Sequence, residues 1–282
     1  ARTAPTTLSG SLSHAIGLGI AQALTELFPV SSSGHLALVP WLVGWDDFGD
    51  TESLAKAFDV ALHLGTLVGA VAYFRQDLLR LLRTGLAMLF GERSVDGRIA
   101  WLLVASAVPA AITGVLFAPS IEQLDDEIWL IAIMLILGGL LLLWADRLHG
   151  DRPAESFTFR DSMLMGLGQA LALQPGVSRS GVTITASRWL GFDRTAAARL
   201  SFLMSIPIIA GAGLYSFLDV TAEGGIPSEF YAPFAAGMVS SAVTGYVAVW
   251  ATIKLVSTRS FAPFVVYRVV LGVAVLVLWA VR

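Results

Sequence analysis

The chain has 282 residues, 56% of them hydrophobic and only 14% charged, with a mean hydropathy of +0.74, which is far too apolar for a soluble domain of this size and indicates a multispanning membrane protein. Cysteine is absent, so a disulfide framework and thiol chemistry are both excluded. The net charge of −3 carries no basic excess that would suggest a nucleic-acid partner, and what matters is where the charges lie.

Taken in order, Ala1 to Ser13 lacks the basic region, short apolar core and cleavage site of a signal peptide, and none is expected there. Ile16 to Pro40 is apolar but interrupted by Gln22, Glu26, Pro29, three serines, Gly34 and His35. An intact lipid-facing helix does not tolerate that interruption, so a re-entrant hairpin of two half-helices is expected, its loop shielded by other helices. An acidic stretch with Asp46, Asp47, Asp50 and Glu52 follows. Lys56 to Phe74, roughly 19 residues, is long enough to cross a bilayer. Arg75 to Arg98 reads as an amphipathic connection, Ile99 to Ala118 crosses back, and Ile128 to Ala145 crosses again after an acidic turn. Asp146 to Asp161 is a polar connection and the natural boundary between two halves. Ser162 to Leu190 is a second interrupted segment, and crossings are expected over Ala196 to Leu218, Pro233 to Lys254 and Pro263 to Val281. The expected fold is thus an all-α polytopic membrane protein with six full crossings and two re-entrant hairpins, as a single membrane domain over 1–282.

Charge placement sets an orientation, because Lys and Arg collect on the cytoplasmic side. Thirteen of the eighteen basic residues fall in the connections 75–98, 146–161, 188–199 and 254–259. The connections on the other side hold Lys56, with Arg2 and Arg282 at the termini, and eleven acidic residues. With this count the first hairpin enters from outside and the second from the cytoplasm. The halves, 14–146 and 161–282, are then inverted repeats whose loops meet near the midplane, a plan shared with many secondary transporters.

The two interrupted segments match in sequence. Val30-Ser31-Ser32-Ser33-Gly34 aligns with Val177-Ser178-Arg179-Ser180-Gly181, Gln22-Ala23-Leu24 with Gln169-Ala170-Leu171, and Pro29 with Pro175 after a one-residue insertion. Gln22 and Glu26 are four apart and share a helix face. A carboxylate inside a membrane costs on the order of 2.5 to 3.5 kcal/mol, which makes Glu26 a functional candidate; an ion pair with Arg179 tying the halves together is compatible with that role. Arg179 offers a planar fork suited to phosphate. Ser31, Ser33, Ser178, Ser180 and Thr183 supply hydroxyls, some of them as local caps, and a Gly-bearing loop entering a half-helix aims N–H groups at an anion. His35, nine residues after Glu26, is read as an acid/base or nucleophilic group. His63 and Asp59 could stand in the shell around the site, but an interfacial pair is the expected reading; Arg268 is expected to be structural or lipid-facing at an interface, and His14 and His149 to belong to terminus and loop. Four scattered histidines without cysteine make no zinc pattern, whereas Glu26 with diphosphate oxygens suits Mg²⁺ or another hard cation.

The runs Gln22-Ala23-Leu24-Thr25-Glu26-Leu27-Phe28-Pro29-Val30-Ser31-Ser32-Ser33-Gly34-His35 and Pro175-Gly176-Val177-Ser178-Arg179-Ser180-Gly181-Val182-Thr183 resemble those of the undecaprenyl pyrophosphate phosphatase, or bacitracin-resistance, family, and the likeness extends over nearly the whole chain. The resemblance implies a hydrolase that removes the terminal phosphate of a C55 isoprenoid diphosphate, recycling the lipid carrier of cell-wall synthesis. It also implies dependence on a divalent cation (Mg²⁺ or Ca²⁺), with Glu26 as a metal ligand, and a bacterial plasma-membrane location with the site opening to the outer face. Carried over by motif position, the functional residues are Glu26, Ser32, His35, Ser178, Arg179 and Thr183. Gln22 stands at the first acidic position of the motif and cannot act as a base, so Glu26 must carry that role. On this reading Arg179, loop N–H groups and the cation hold the diphosphate, Ser32 or a water attacks the terminal phosphorus, and Glu26 and His35 handle protons. Membrane lipids are expected partners, and the many Gly and Ala residues suit either internal packing or a homodimer. A polyprenyl-phosphate carrier or flippase using the same inverted-repeat site is the alternative. The other lipid phosphatase superfamily is excluded, because Thr185 stands where its histidine would follow Ser178-Arg179 and no Lys-x6-Arg-Pro run occurs.

Overall fold

The structure, a computed structural model, describes residues 8–45, 52–122, 124, 127–222 and 225–281. Its helices in chain order are α1 (Leu8–Leu27), α2 (Ser32–Val43), α3 (Glu52–Tyr73), α4 (Arg75–Leu89), α5 (Val95–Glu122), α6 (Ile128–Asp146), α7 (Phe159–Leu171), α8 (Arg179–Trp189), α9 (Arg194–Ala222), α10 (Tyr231–Val256) and α11 (Ala262–Val281). Six of the described helices, α3, α5, α6, α9, α10 and α11, are long and apolar enough to cross a bilayer. The protein is a multi-pass, all-helical membrane protein. The interrupted segments are the helix pairs α1–α2 and α7–α8, each broken at the serine-bearing run. Most of the acidic stretch at 46–52, together with Arg2 and Arg282, lies outside the described residues.

Large apolar side chains cover the outside of the bundle, with Val115 76% and Leu116 67% exposed, as a hydrocarbon solvent allows. Inside, small residues let backbones approach. Along α3 and α10 a Cβ on Gly69 would lie 2.7 Å from the Tyr246 nitrogen. The Ser241 hydroxyl donates to the Leu62 carbonyl at 2.7 Å and lies 2.7 Å from the Thr66 hydroxyl. The glycines at these seams therefore serve internal packing. Helix α1 lies against α10, and α7 lies against α5, so the first helix of each broken pair packs on a crossing from the other half.

The arginine-bearing connections come together at one end of the bundle. Arg199 reaches Asp77 at 3.0 Å, Arg98 the Glu155 carbonyl at 3.0 Å, and Arg194 Asp146 at 2.6 Å. Helix α4 presents Leu82 and Leu89 outward, followed by its exposed C-cap Phe90, beside its arginines, the pattern of a helix lying in the membrane interface. His14 sits within α1 rather than in a terminal segment, stacked on Trp45 at 4.0 Å.

The 147–158 connection is fastened to the end of α8. Arg152 donates to the Leu190 carbonyl at 2.7 Å and lies 4.1 Å over the Phe192 ring. It also forks onto Asp161, at 2.7 and 3.3 Å. Asp161 in turn closes a capping box with Thr158 at the start of α7. Burial pushes the Asp161 carboxyl up, but the hydrogen bonds from Arg152 and Thr158 outweigh it, and the group is held below its ordinary value. A carboxyl with a depressed pKa contributes stability that is present above its unfolded pKa and lost as pH falls through the folded one. Asp161→Asn should cost about 1.5–3 kcal/mol at neutral pH. In thermal melts of detergent-purified protein the gap to wild type should close below roughly pH 4; a gap that persists unchanged in acid would contradict the assignment.

Candidate active site

The two broken runs fold alike because each must start a helix directly after a turn. Ser31 (φ 78°) and Ser178 (φ 74°) are the non-glycine residues with positive φ among those described, a conformation that costs an L-residue energy and persists where the surroundings enforce it. Each serine is the N-cap of the helix that follows. Ser31 Oγ accepts from Gly34 N–H at 3.4 Å, and Ser178 Oγ accepts from Gly181 N–H at 3.1 Å. The next amide, of His35 or Val182, donates to the serine's own carbonyl. The first two N–H groups of each helix, at Ser32 and Ser33 and at Arg179 and Ser180, are those a helix leaves for an outside acceptor.

The loops touch. Ser180 Oγ donates to the Phe28 carbonyl at 3.3 Å, and a Cβ on Gly34 would lie 3.5 Å from the Gly176 Cα. Gly176 has φ +88°, and a Cβ there would meet Ile131 Cα at 3.1 Å, so both conformation and space require glycine. What joins the loops is Arg268 of α11, which is fully buried. Its guanidinium donates to five backbone carbonyls: Leu135 (3.0 Å) and Met134 (3.2 Å) of α6, Pro29 (3.1 Å) of the first loop, and Gly176 and Val177 (3.0 Å each) of the second. The expectation of a structural role holds, but a lipid-facing position does not. A guanidinium facing hydrocarbon would have no acceptors, whereas here the two turns supply them.

Glu26 is buried at the end of α1 and is the hub of the site. Its Oε1 accepts from Arg179 Nη2 at 2.7 Å and Nε at 3.1 Å, and its Oε2 accepts from the Ser32 hydroxyl. Arg179 Nη1 donates to the Ser201 carbonyl of α9 at 3.0 Å. Of the five guanidinium N–H donors three are thus used, leaving two for an anion. Thr183 does not face this space directly. Its hydroxyl donates to the Arg179 carbonyl at 2.8 Å and lies 2.7 Å from Ser201 Oγ, steadying the turn of α8 that aims Arg179.

Glu26, Ser32 and Arg179 therefore converge, with Ser31, Ser178 and Ser180 around them as caps and loop contacts and Ser33 exposed beside them. His35 is oriented otherwise. Its Nδ1 lies 2.6 Å from the Ser31 carbonyl and its Nε2 2.7 Å from the Tyr267 hydroxyl, so its ring is held by the loop and α11 rather than by Glu26. The histidine on Glu26 is His63 of α3, whose Nε2 is 3.7 Å from Oε2 while Nδ1 hydrogen-bonds the Asp59 carbonyl at 2.7 Å. His63 is thus drawn inward, not left in an interfacial pair. Because a carbonyl only accepts, Nδ1 must carry the hydrogen. His63 and Thr66, three residues apart, share the inward face of α3, the one signal in the sequence that could have placed this histidine at the site. Gln22, one turn before Glu26, is completely buried, and neither amide atom has a hydrogen-bond partner among the described residues.

The family model described as "Bacitracin resistance protein BacA" matches residues 15–274. The chain is 48% identical over 270 residues to a protein of Pelobacter propionicus named Undecaprenyl-diphosphatase, covering 94% of this chain and 96% of that one. It is 47% identical over 268 residues to the protein of the same name from Geobacter sulfurreducens, covering 93% and 96%. A protein of Stutzerimonas stutzeri named Undecaprenyl-diphosphatase 2 is 46% identical over 270 residues, covering 94% and 97%.

Arg268→Met would strand the Pro29, Gly176 and Val177 carbonyls of the two loops, at a cost expected to exceed about 3 kcal/mol. The variant should yield little monodisperse protein on size-exclusion chromatography in detergent. Arg268→Lys keeps the charge without the fork and should fall between the two in melting temperature; a wild-type melt for Arg268→Met would show that the clamp is dispensable.

Proposed function

The chain belongs to the bacitracin resistance protein BacA family, and from this membership we propose that it is an integral-membrane phosphatase that hydrolyses undecaprenyl diphosphate to undecaprenyl phosphate and inorganic phosphate, recycling the lipid carrier used in cell-wall synthesis. The observation that carries the chemistry is the shared carboxylate of Glu26, which accepts the Ser32 hydroxyl proton on one oxygen and holds Arg179 on the other.

In the reaction, the terminal phosphate enters between the two loops and takes the two remaining N–H donors of Arg179 and the free N–H groups that open α2 and α8. Ser32 Oγ attacks the terminal phosphorus as its proton passes to Glu26. The bond to the bridging oxygen breaks, and the prenyl monophosphate departs with that oxygen. Glu26 passes the serine proton to that departing oxygen and is again a carboxylate. Water then attacks the phosphoserine as it gives a proton to Glu26, the bond from Ser32 Oγ to phosphorus breaks, inorganic phosphate leaves, and Glu26 returns the proton to Ser32. Most of the barrier is lowered by positioning and charge neutralisation, since phosphoryl transfer requires little covalent work of the protein. Thr183 and Ser201 keep Arg179 in place.

The residues suit a hard cation. No group of three or more His, Cys, Asp or Glu forms a closed metal cage among the described residues, but Mg²⁺ commonly binds one carboxylate plus substrate phosphates. Glu26 would hold it, with the unpartnered, buried Gln22 carbonyl beside it as a second oxygen donor. When bound, Mg²⁺ or Ca²⁺ would neutralise charge on the diphosphate. The gathering of arginines at one end of the bundle supports a plasma-membrane orientation with that end cytoplasmic and the site open to the outer face.

Phosphate release by detergent-purified protein from farnesyl or undecaprenyl diphosphate with Mg²⁺ or Ca²⁺ tests this reading. Glu26→Gln, Ser32→Ala and Arg179→Ala should each lower kcat by roughly 10²–10⁴. Failure of folded wild-type protein to release phosphate with any cation would favour a carrier, which has no two sides to work between in detergent. Acid quench during turnover should trap phosphate on Ser32; inversion at phosphorus traced with chiral, oxygen-labelled substrate would instead assign the attack to water.

A further inference from the structure

At the arginine-bearing end of the bundle, where α6 stops and α11 begins, lies a cavity of about 620 Å³ whose walls include Leu143, Asp146, Arg147, His149, Arg188 and Arg194. It is distinct from the loops. Arg179 and Arg188 stand at opposite ends of α8, nine residues or about 14 Å apart along the helix.

The lining of this cavity carries three guanidiniums, Arg147, Arg188 and Arg194, and one carboxylate, Asp146. Elsewhere on this face Arg80 is matched by Asp77 and Asp96, Arg199 by Asp77 and Arg152 by Asp161, whereas Arg75 and Arg98 donate to backbone carbonyls. Arg188 and Arg194 share Asp146, whose oxygens are already engaged. Oδ1 accepts from Arg194 Nε at 2.6 Å and lies 3.9 Å from Arg188 Nε, and Oδ2 accepts from the Phe261 N–H at 3.1 Å. Asp193, which also acts on Arg188 through space, is turned to cap α9 through the Ala196 N–H at 2.8 Å. Arg188 is only 4% exposed, is held by the Leu148 and Phe192 carbonyls, and has an Nε–H without a hydrogen-bond partner. Arg147 is exposed and makes no ion pair among the described residues. Helices α6 and α8 end at the cavity while α9 and α11 begin there, so their dipoles largely cancel and the side chains set the potential. That potential is positive, with a desolvated guanidinium in the wall.

We propose that this cavity is a second anion site that takes a phosphate monoester group, supplied as the headgroup of a prenyl monophosphate or as free phosphate. Arg147 and the open edge of Arg194 grip the oxygens, and buried Arg188 adds a charge that solvent does not screen. The proposal does not depend on the chemistry at Glu26. The cavity also borders the membrane: Trp144 is 50% and Val266 61% exposed on the helices that form it, so a lipid headgroup can reach the arginines with its chain still in hydrocarbon.

Equilibrium binding to full-length protein in detergent tests the idea, using radiolabelled inorganic phosphate and farnesyl monophosphate as probes and Arg179→Ala to weaken binding at the loops. One saturable site should persist in Arg179→Ala, weaken about tenfold or more when Arg147→Glu is added, and stay within about threefold with Arg147→Lys, as expected for a charge contact. An unchanged melting profile for Arg147→Glu, which alters an exposed side chain, would show that the fold is intact. Saturation by farnesyl monophosphate but not by inorganic phosphate identifies a lipid headgroup, and saturation by inorganic phosphate identifies the free ion. Absence of saturable binding of either probe in Arg179→Ala, or equal affinity with Arg147→Glu, overturns the proposal.

Discussion

The structure depends on one buried cation. Arg268 places a guanidinium among carbonyls that two sharp turns would otherwise leave unsatisfied. In a low-dielectric interior an unpaired carbonyl and an unsolvated charge are each costly, and together they cancel much of that cost. The clamp explains why polypeptide without regular helix can lie at depth in this bundle, since irregular backbone is tolerated only where protein, not lipid, surrounds it. Glycine is needed where the clamp closes: a Cβ on Gly181 would sit 2.7 Å from Arg268 Nη1.

The reactive groups sit on top of this foundation. Glu26 and Arg179 come from helices far apart in sequence and meet because their loops are pinned to each other. A buried ion pair is weak evidence for stability, because desolvation offsets much of the attraction. On the proposed mechanism its return is chemical. The pair leaves a carboxylate oriented on a serine hydroxyl and a guanidinium with donors to spare, which is pre-organisation of the kind phosphoryl transfer uses.

The crossings were legible in the sequence. Long apolar runs bounded by arginines and prolines lie within a few residues of the observed helices, and the doubled serine runs marked the place where they would be broken. The convergence of Glu26, Ser32 and Arg179 was legible too, since charged and hydroxyl groups in an apolar segment have few reasons to be there. The partners of each histidine were not. His63 looks peripheral by its neighbours in the chain, and only the packing of α3 beside α1 turns it toward Glu26. Tyr267 and Arg268 are adjacent in sequence, yet one holds His35 and the other the loops, a division set by the rotation of α11. Arg188, Arg194 and Arg147 read as ordinary positive-inside charges until the fold gathered them around Asp146.

The exchanged packing also constrains biosynthesis. Helix α1 finds its packing partner in α10, and the first loop is clamped by a residue 239 positions downstream. At translation speeds of about 5–20 residues per second, that interval is roughly 12–48 seconds. Through that time the first broken segment, carrying a carboxylate and three serines, must wait in or beside the insertion machinery without the contacts that make it tolerable in lipid. A helix that emerges late locks the first turn, so a ribosome that stops before α11 leaves a chain whose polar loops lack the guanidinium that clamps them together.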